Sequence, residues 1–111
     1  MTRVPFKFDE KDGFVTVKGI VFLDGELLIL ETAKAVLDLI PYAKDTFAIP
    51  ADEIESIELV KNRLVIRPFS FEFLDGFPGD PVEEISIKVA RKHRDSAEAL
   101  ARETRLRNLP R

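Results

Sequence analysis

Apolar and polar residues alternate along this chain up to about residue 90, and helical spacing takes over after that. Phe14-Val-Thr-Val-Lys-Gly-Ile-Val-Phe-Leu23 is rich in β-branched and aromatic residues, and Glu26-Leu-Leu-Ile-Leu-Glu31 follows it across Asp24-Gly25. Asp-Gly supplies the positive φ that a two-residue hairpin turn requires, so this stretch predicts two antiparallel strands. Asp12-Gly13 and Asp75-Gly76 are further turn candidates. Residues 33–45 fit a short helix or a continuing strand, with Pro41 expected to end either one. Thr46-Phe-Ala-Ile49 is expected as a strand stopped by Pro50, and the Lys61-Asn62 turn is expected to join strands over 54–60 and 63–67. Phe69-Ser-Phe-Glu-Phe73 alternates strictly, which in a strand puts three rings on one face and Ser70 and Glu72 on the other. Pro68, just before it, predicts a bend or a sheet edge. Glu84-Ile-Ser-Ile-Lys-Val-Ala90 alternates again, with Ile85, Ile87 and Val89 facing one way.

After Lys92 the spacing changes. Asp95-Ser-Ala-Glu98 has the form of a capping box, and Ala97, Leu100, Ala101 and Thr104 recur at helical intervals before Pro110. Arg102, Arg105 and Arg107 stand where the helix dipole favours cations. The expectation is mainly β: about seven strands and one terminal helix in a single domain. It divides into an N-terminal arm over 1–12, a β core over 13–92 and a helix over 95–109. A chain of 111 residues has room for one such unit.

The wording of the middle strands resembles a known family. Gly25-Glu-Leu-Leu-Ile-Leu-Glu31, Phe47-Ala-Ile-Pro-Ala-Asp-Glu-Ile-Glu-Ser-Ile57 and Arg63-Leu-Val-Ile66 are similar to the bacterial PH-like and GRAM-like pattern of the pleckstrin-homology superfold. In that pattern an Ile-Pro segment joins the third and fourth strands, and the likeness runs over roughly residues 13–107. The resemblance implies a bent antiparallel β-barrel of about seven strands plugged by the C-terminal α-helix. It also implies no enzymatic activity and no cofactor, but binding of lipid headgroups, peptides or other subunits.

Composition narrows the chemistry. The chain has no cysteine, which excludes disulfides, thiolate metal sites and a cysteine nucleophile. No stretch approaches the roughly 20 uncharged apolar residues of a membrane-spanning helix, and the start, with charges by Lys7 and Asp9, has no apolar signal core. A cytoplasmic protein is the expectation. Residues 1–87 carry 9 Lys/Arg against 17 Asp/Glu, a balance of −8, whereas residues 88–111 carry 8 against 3, a balance of +5. The body is acidic and the C-terminal end basic.

Two sets of residues are candidates for binding. Phe69, Phe71, Phe73 and Phe77 could meet a protein partner or a second copy, with the strand near Pro68 as an exposed edge and Phe77 exposed in a Pro/Gly loop. Arg91, Lys92, Arg94, Arg102 and Arg105 could take an anionic surface. A solvated helix face that complements its own dipole explains the same residues. Membrane phosphoinositide is not expected: the family's basic loop between the first two strands is here read as Asp24-Gly25 beside Glu26, which would repel phosphate. Nucleic acid is not expected either, because no aromatics interleave with the arginines to stack bases. Catalysis is not expected. His93 is a lone histidine in a basic run, Ser70, Ser86 and Ser96 lack a nucleophile-elbow context, and Asp9-Glu-Lys-Asp-Gly13 lacks calcium-loop spacing.

Overall fold

A computed structural model describes residues 2–10, 15–36, 40–77 and 83–108, without the side chains of 9, 10, 15, 34–36 and 40–44. Among the described residues seven strands are formed: β1 (Arg3–Glu10), β2 (Val15–Asp24), β3 (Leu27–Val36), β4 (Ile40–Pro50), β5 (Ile54–Val60), β6 (Arg63–Pro68) and β7 (Ile85–Lys88). An α-helix, α1 (Arg94–Arg107), follows them. The strands make a single sheet in the order β4-β3-β2-β1-β7-β6-β5, and every neighbouring pair is antiparallel. Two meanders, β1 to β4 and β5 to β7, are therefore joined where β1 meets β7. Among the described residues no ladder joins β4 to β5, so the sheet is open.

The two-residue turns form where positive φ is available. Gly25 at φ 62° begins the β2–β3 turn with Glu26, and Lys61 at φ 57° begins the β5–β6 turn with Asn62. Alternation then sends one face of each strand inward. Val4 and Phe6, Val21 and Leu23, Leu28 and Leu30, Phe47 and Ile49, Leu64 and Ile66, and Ile85 and Ile87 enter one core. Gly19 leaves a gap in this face, and the ring of its cross-strand partner Phe6 fills it. α1 buries Ala97, Leu100, Ala101 and Thr104. Full burial of Leu100 alone contributes roughly 2 kcal/mol. The buried Thr104 hydroxyl donates to the Leu100 carbonyl at 2.8 Å, so it carries no unmet hydrogen bond into the core.

Several expectations change. The strand count holds, but its membership differs. Residues 1–12, expected as an arm, contain β1, the middle strand of the sheet. Pro5 does not prevent this, because β1 forms only one pair with β7 and its second side needs few donors. Residues 33–36 continue β3, and Pro41 lies inside β4 opposite Ala35, past a register shift, where an edge strand tolerates proline. Residues 69–73 are not a strand. The chain turns there instead: Phe69 N–H donates to Glu53 O, Glu72 N–H to Ser70 Oγ, and a 3₁₀ turn spans Glu72–Leu74. Pro68 ends a strand lying between β5 and β7, so it marks no edge. The helix starts at Arg94 with His93 before it and no side-chain cap, so the Asp95 capping box is not formed. Arg105 and Arg107 do occupy its last turn. The Asp12-Gly13 turn and Leu109 lie outside the described residues.

Candidate functional site

The two meanders share little backbone. β1 pairs with β2 at every position from Arg3 to Glu10, but with β7 only through Lys7 and Lys88. Around this single pair the strands part and leave a groove of about 920 Å³, lined on one side by Pro5, Phe6, Phe8 and Gly19 and on the other by Ser86, Ala90 and His93. Phe6 and Phe8 point to the core face of β1 and Lys7 to the opposite face. Both faces reach the groove because β7 does not continue alongside β1.

Register places a line of cations across this seam. Lys18 is opposite Lys7, Lys7 opposite Lys88, and Lys88 opposite Arg63. All four side chains line the groove. With neighbouring strands about 4.8 Å apart, the row crosses three intervals and spans roughly 14 Å. Lys7 and Lys18 each already make an interaction within the chain, and an Arg63 guanidinium nitrogen lies 3.5 Å from Ser86 Oγ. On β3 the position after Lys18 is Ala33, with Lys44 of β4 opposite it in turn, and on β5 Val60 follows Arg63. Carboxylates lie nearby: Glu31 and Asp45 border a second groove that begins at Lys18, and Glu58 lies two residues from Val60 on β5. Like charges directly opposite one another disfavour a sheet, a cost that Lys88 and Arg63 bear as directly opposed neighbours.

The residues singled out from sequence are distributed differently. Phe69 is exposed (64%), whereas Phe71 and Phe73 are partly buried against the core. Phe77, expected at the surface, is 3% exposed, with its ring edge-on to Phe47 at 5.0 Å and stacked near Phe8 at 6.3 Å. The segment that carries it folds back across β4, which a loop reading of Asp75 to Pro81 could not indicate. The basic residues are spread along the C-terminal end. Arg91, Lys92 and Arg94 are exposed before and at the start of α1, and Arg102 is exposed along it. Arg105 lies eleven residues past Arg94, about 16 Å along the axis.

Arg105 instead holds the helix in place, its guanidinium donating to the Ile57 carbonyl at 2.8 Å. Asn108 donates its amide to Ile54 O, and Arg107 donates to Gly25 O at 2.8 Å. These bonds fasten α1 to carbonyls of β5 and to the β2–β3 turn. β4, at the opposite edge, pairs with β3 alone among the described strands. The turn read as lying between the first two strands joins β2 to β3, so the charge at Asp24-Gly25-Glu26 says nothing about the loop after β1.

His93 and Ser86 are the residues weighed from sequence that line the groove. Lys7, Lys18, Arg63 and Lys88 were not singled out, because they are far apart along the chain and only cross-strand register brings them together. Among the described residues no group of three or more His, Asp or Glu side chains could hold a metal ion, and no helix is long and apolar enough to cross a membrane. No protein-family model, curated protein or solved structure matches the chain.

Proposed function

We propose that the chain is a non-catalytic binding module of PH-like type, its sheet acting as a split, strongly bent barrel plugged by α1, and that its working surface is the seam groove, which receives an anionic ligand. The row Lys18–Lys7–Lys88–Arg63 carries this reading. An anion in the groove is attracted by the positive charge gathered there and can accept charge-assisted hydrogen bonds from Lys88 and Arg63. The open order of the strands, with inward faces meeting in one core, supports the bent-barrel frame. Calorimetric titration with inorganic pyrophosphate tests the reading. Binding is expected at low ionic strength, weakening as salt screens the row, and it is expected to vanish in the Lys7→Gln/Lys88→Gln variant. Equal heats for both proteins, or none for either, would refute it.

A second reading places a protein partner or a second copy on β4. It is favoured by the contrast between the two edges: side chains of α1 hold carbonyls of β5, while β4 pairs on one side only. Strand addition relies on backbone hydrogen bonds and survives high salt, unlike binding in the groove. A strict monomer in sedimentation at all concentrations and salt levels would remove the self-association form of this reading.

A further inference from the structure

We infer that the molecule carries two complementary poles and assembles head to tail, the acidic pole of one copy seating the basic pole of the next. These surfaces are neither the seam groove nor the free edge of β4. Main-chain bonds build the acidic pole. Ala51 N–H donates to Glu26 O and Phe69 N–H to Glu53 O, each at 2.8 Å, and Leu27 stands opposite Pro50. These contacts bring the β2–β3 turn, the 3₁₀ turn Ala51–Glu53 and the residues after β6 to one end of the sheet. Two large apolar side chains stay exposed there, Leu27 at 40% and Phe69 at 64%. The carboxylates of Asp24, Asp52 and Glu72 are exposed beside them. Two cations at this end are already engaged: Arg107 donates to Gly25 O at 2.8 Å, and Arg3 lies 4.6 Å above the Phe22 ring.

The basic pole lies at the other end. Val89 N–H donates to Asn62 O at 2.7 Å, which sets the β5–β6 turn against the entry to α1. Lys61, Arg91, Lys92 and Arg94 are exposed there around one carboxylate, Asp95, and Val60 is 46% exposed. Three elements run from pole to pole. β5 covers about 20 Å from Ile54 to Val60 at the rise of a strand, and β6 returns alongside it. α1 covers about 20 Å from Arg94 to Arg107 at the rise of a helix. Charges held that far apart are screened from each other, since the Debye length is about 10 Å at 0.1 M salt. Among the described residues, Asp24, Asp52, Glu72, Lys61, Arg91 and Lys92 form no ion pair within the chain. A second copy supplies the missing contact for both ends, joining opposite charges and covering Leu27, Phe69 and Val60 within a polar rim. An anionic membrane or nucleic acid would use the basic pole alone. A pole-to-pole contact is heterologous and therefore repeats, giving a ring if the rotation closes and a filament if it does not.

Sedimentation velocity on the full chain tests this at low salt and at about 1 M salt, where the Debye length is about 3 Å. At low salt the average mass should climb past that of a dimer as protein concentration rises to about 1 mM. At high salt it should fall back toward the monomer. Two variants then separate the poles: Asp24→Asn/Asp52→Asn/Phe69→Ala on the acidic side and Lys61→Gln/Lys92→Gln/Val60→Thr on the basic side. Each alone should associate at least about tenfold more weakly than the wild type. Mixed, they should form a one-to-one heterodimer and go no further, because each supplies the pole that the other lacks. All six side chains are exposed, and circular dichroism spectra matching the wild type establish that both variants are folded. A wild-type chain that stays monomeric at every concentration in low salt would overturn the inference, as would a silent mixture of two folded variants. Association that stops at a dimer or survives high salt would also overturn it and assign self-contact to β4. Duplex DNA or phosphatidylserine vesicles bound by an otherwise monomeric chain would overturn it by giving the basic pole a different partner.

Discussion

Replacing Lys88 by glutamate should make the protein more stable and abolish anion binding. Lys88 is flanked in register by Lys7 on β1 and Arg63 on β6, two like-charge pairs that the substitution turns into two opposite-charge pairs. Each cross-strand charge pair is worth roughly 0.2–1 kcal/mol, unfavourable for like and favourable for unlike charges. Inverting two of them gives a gain of about 1–2 kcal/mol, with the lower end expected because these side chains are solvent-exposed. At about 4 °C per kcal/mol for a domain near 100 residues, the melting temperature should rise by roughly 4–8 °C. Urea unfolding at low and high salt provides the assay. The midpoint gain should be largest at low ionic strength and shrink as the Debye length falls from about 10 Å at 0.1 M to about 3 Å at 1 M. Lys88→Gln should give about half the effect. Unchanged or reduced stability of Lys88→Glu at low salt would show that Lys88 is not repelled by its register neighbours.

Two further substitutions test the packing that positions the groove. Gly19→Ala should destabilise by about 1–3 kcal/mol in chemical denaturation, because its Cβ would lie 2.3 Å from the Phe6 ring and 2.4 Å from the Glu31 carbonyl oxygen, and that backbone atom cannot rotate away; a neutral result would contradict the close approach of β1, β2 and β3. Phe77→Ala should cost about 3 kcal/mol as a buried ring, whereas Phe69→Ala should stay within about 0.5 kcal/mol, and equal effects would mean that the two rings are not the buried and exposed residues described.

Much of the architecture was legible because strand period and turn chemistry are local. Gly25 and Lys61 sit at the two hairpin turns, and Ile85, Ile87 and Val89 point inward as their alternation implied. The failures share a cause: a strong local signal overruled by a distant partner. Phe69 to Phe73 alternate like a strand, but β6 already lies between β5 and β7 and leaves them no free edge, so the chain turns and delivers Phe77 to Phe47. Arg3 to Glu10 also alternate, yet Pro5 masked a strand whose pairing is almost all with β2. Asp95 and Glu98 have capping-box spacing, but the N-cap is His93, two residues before Asp95, and the helix follows directly from the 3₁₀ turn Arg91–His93. Reading charge along the chain found the basic C-terminal run. It missed the cation row because that row runs perpendicular to the chain.

The topology explains why a site would arise at this seam rather than at a loop. Within the first meander the strands are paired over eight to ten positions, as β1 with β2 and β2 with β3. Between the meanders, only Lys7 and Lys88 pair, and the strands part around them. A gap in the ladder lets side chains from both faces of β1, cationic Lys7 and apolar Phe8, line one cavity. An intact sheet surface cannot do this, because alternation separates its polar and apolar residues onto opposite faces. Lengthening the β1–β7 ladder would stabilise the sheet and close that cavity, so binding and further pairing compete for the same backbone.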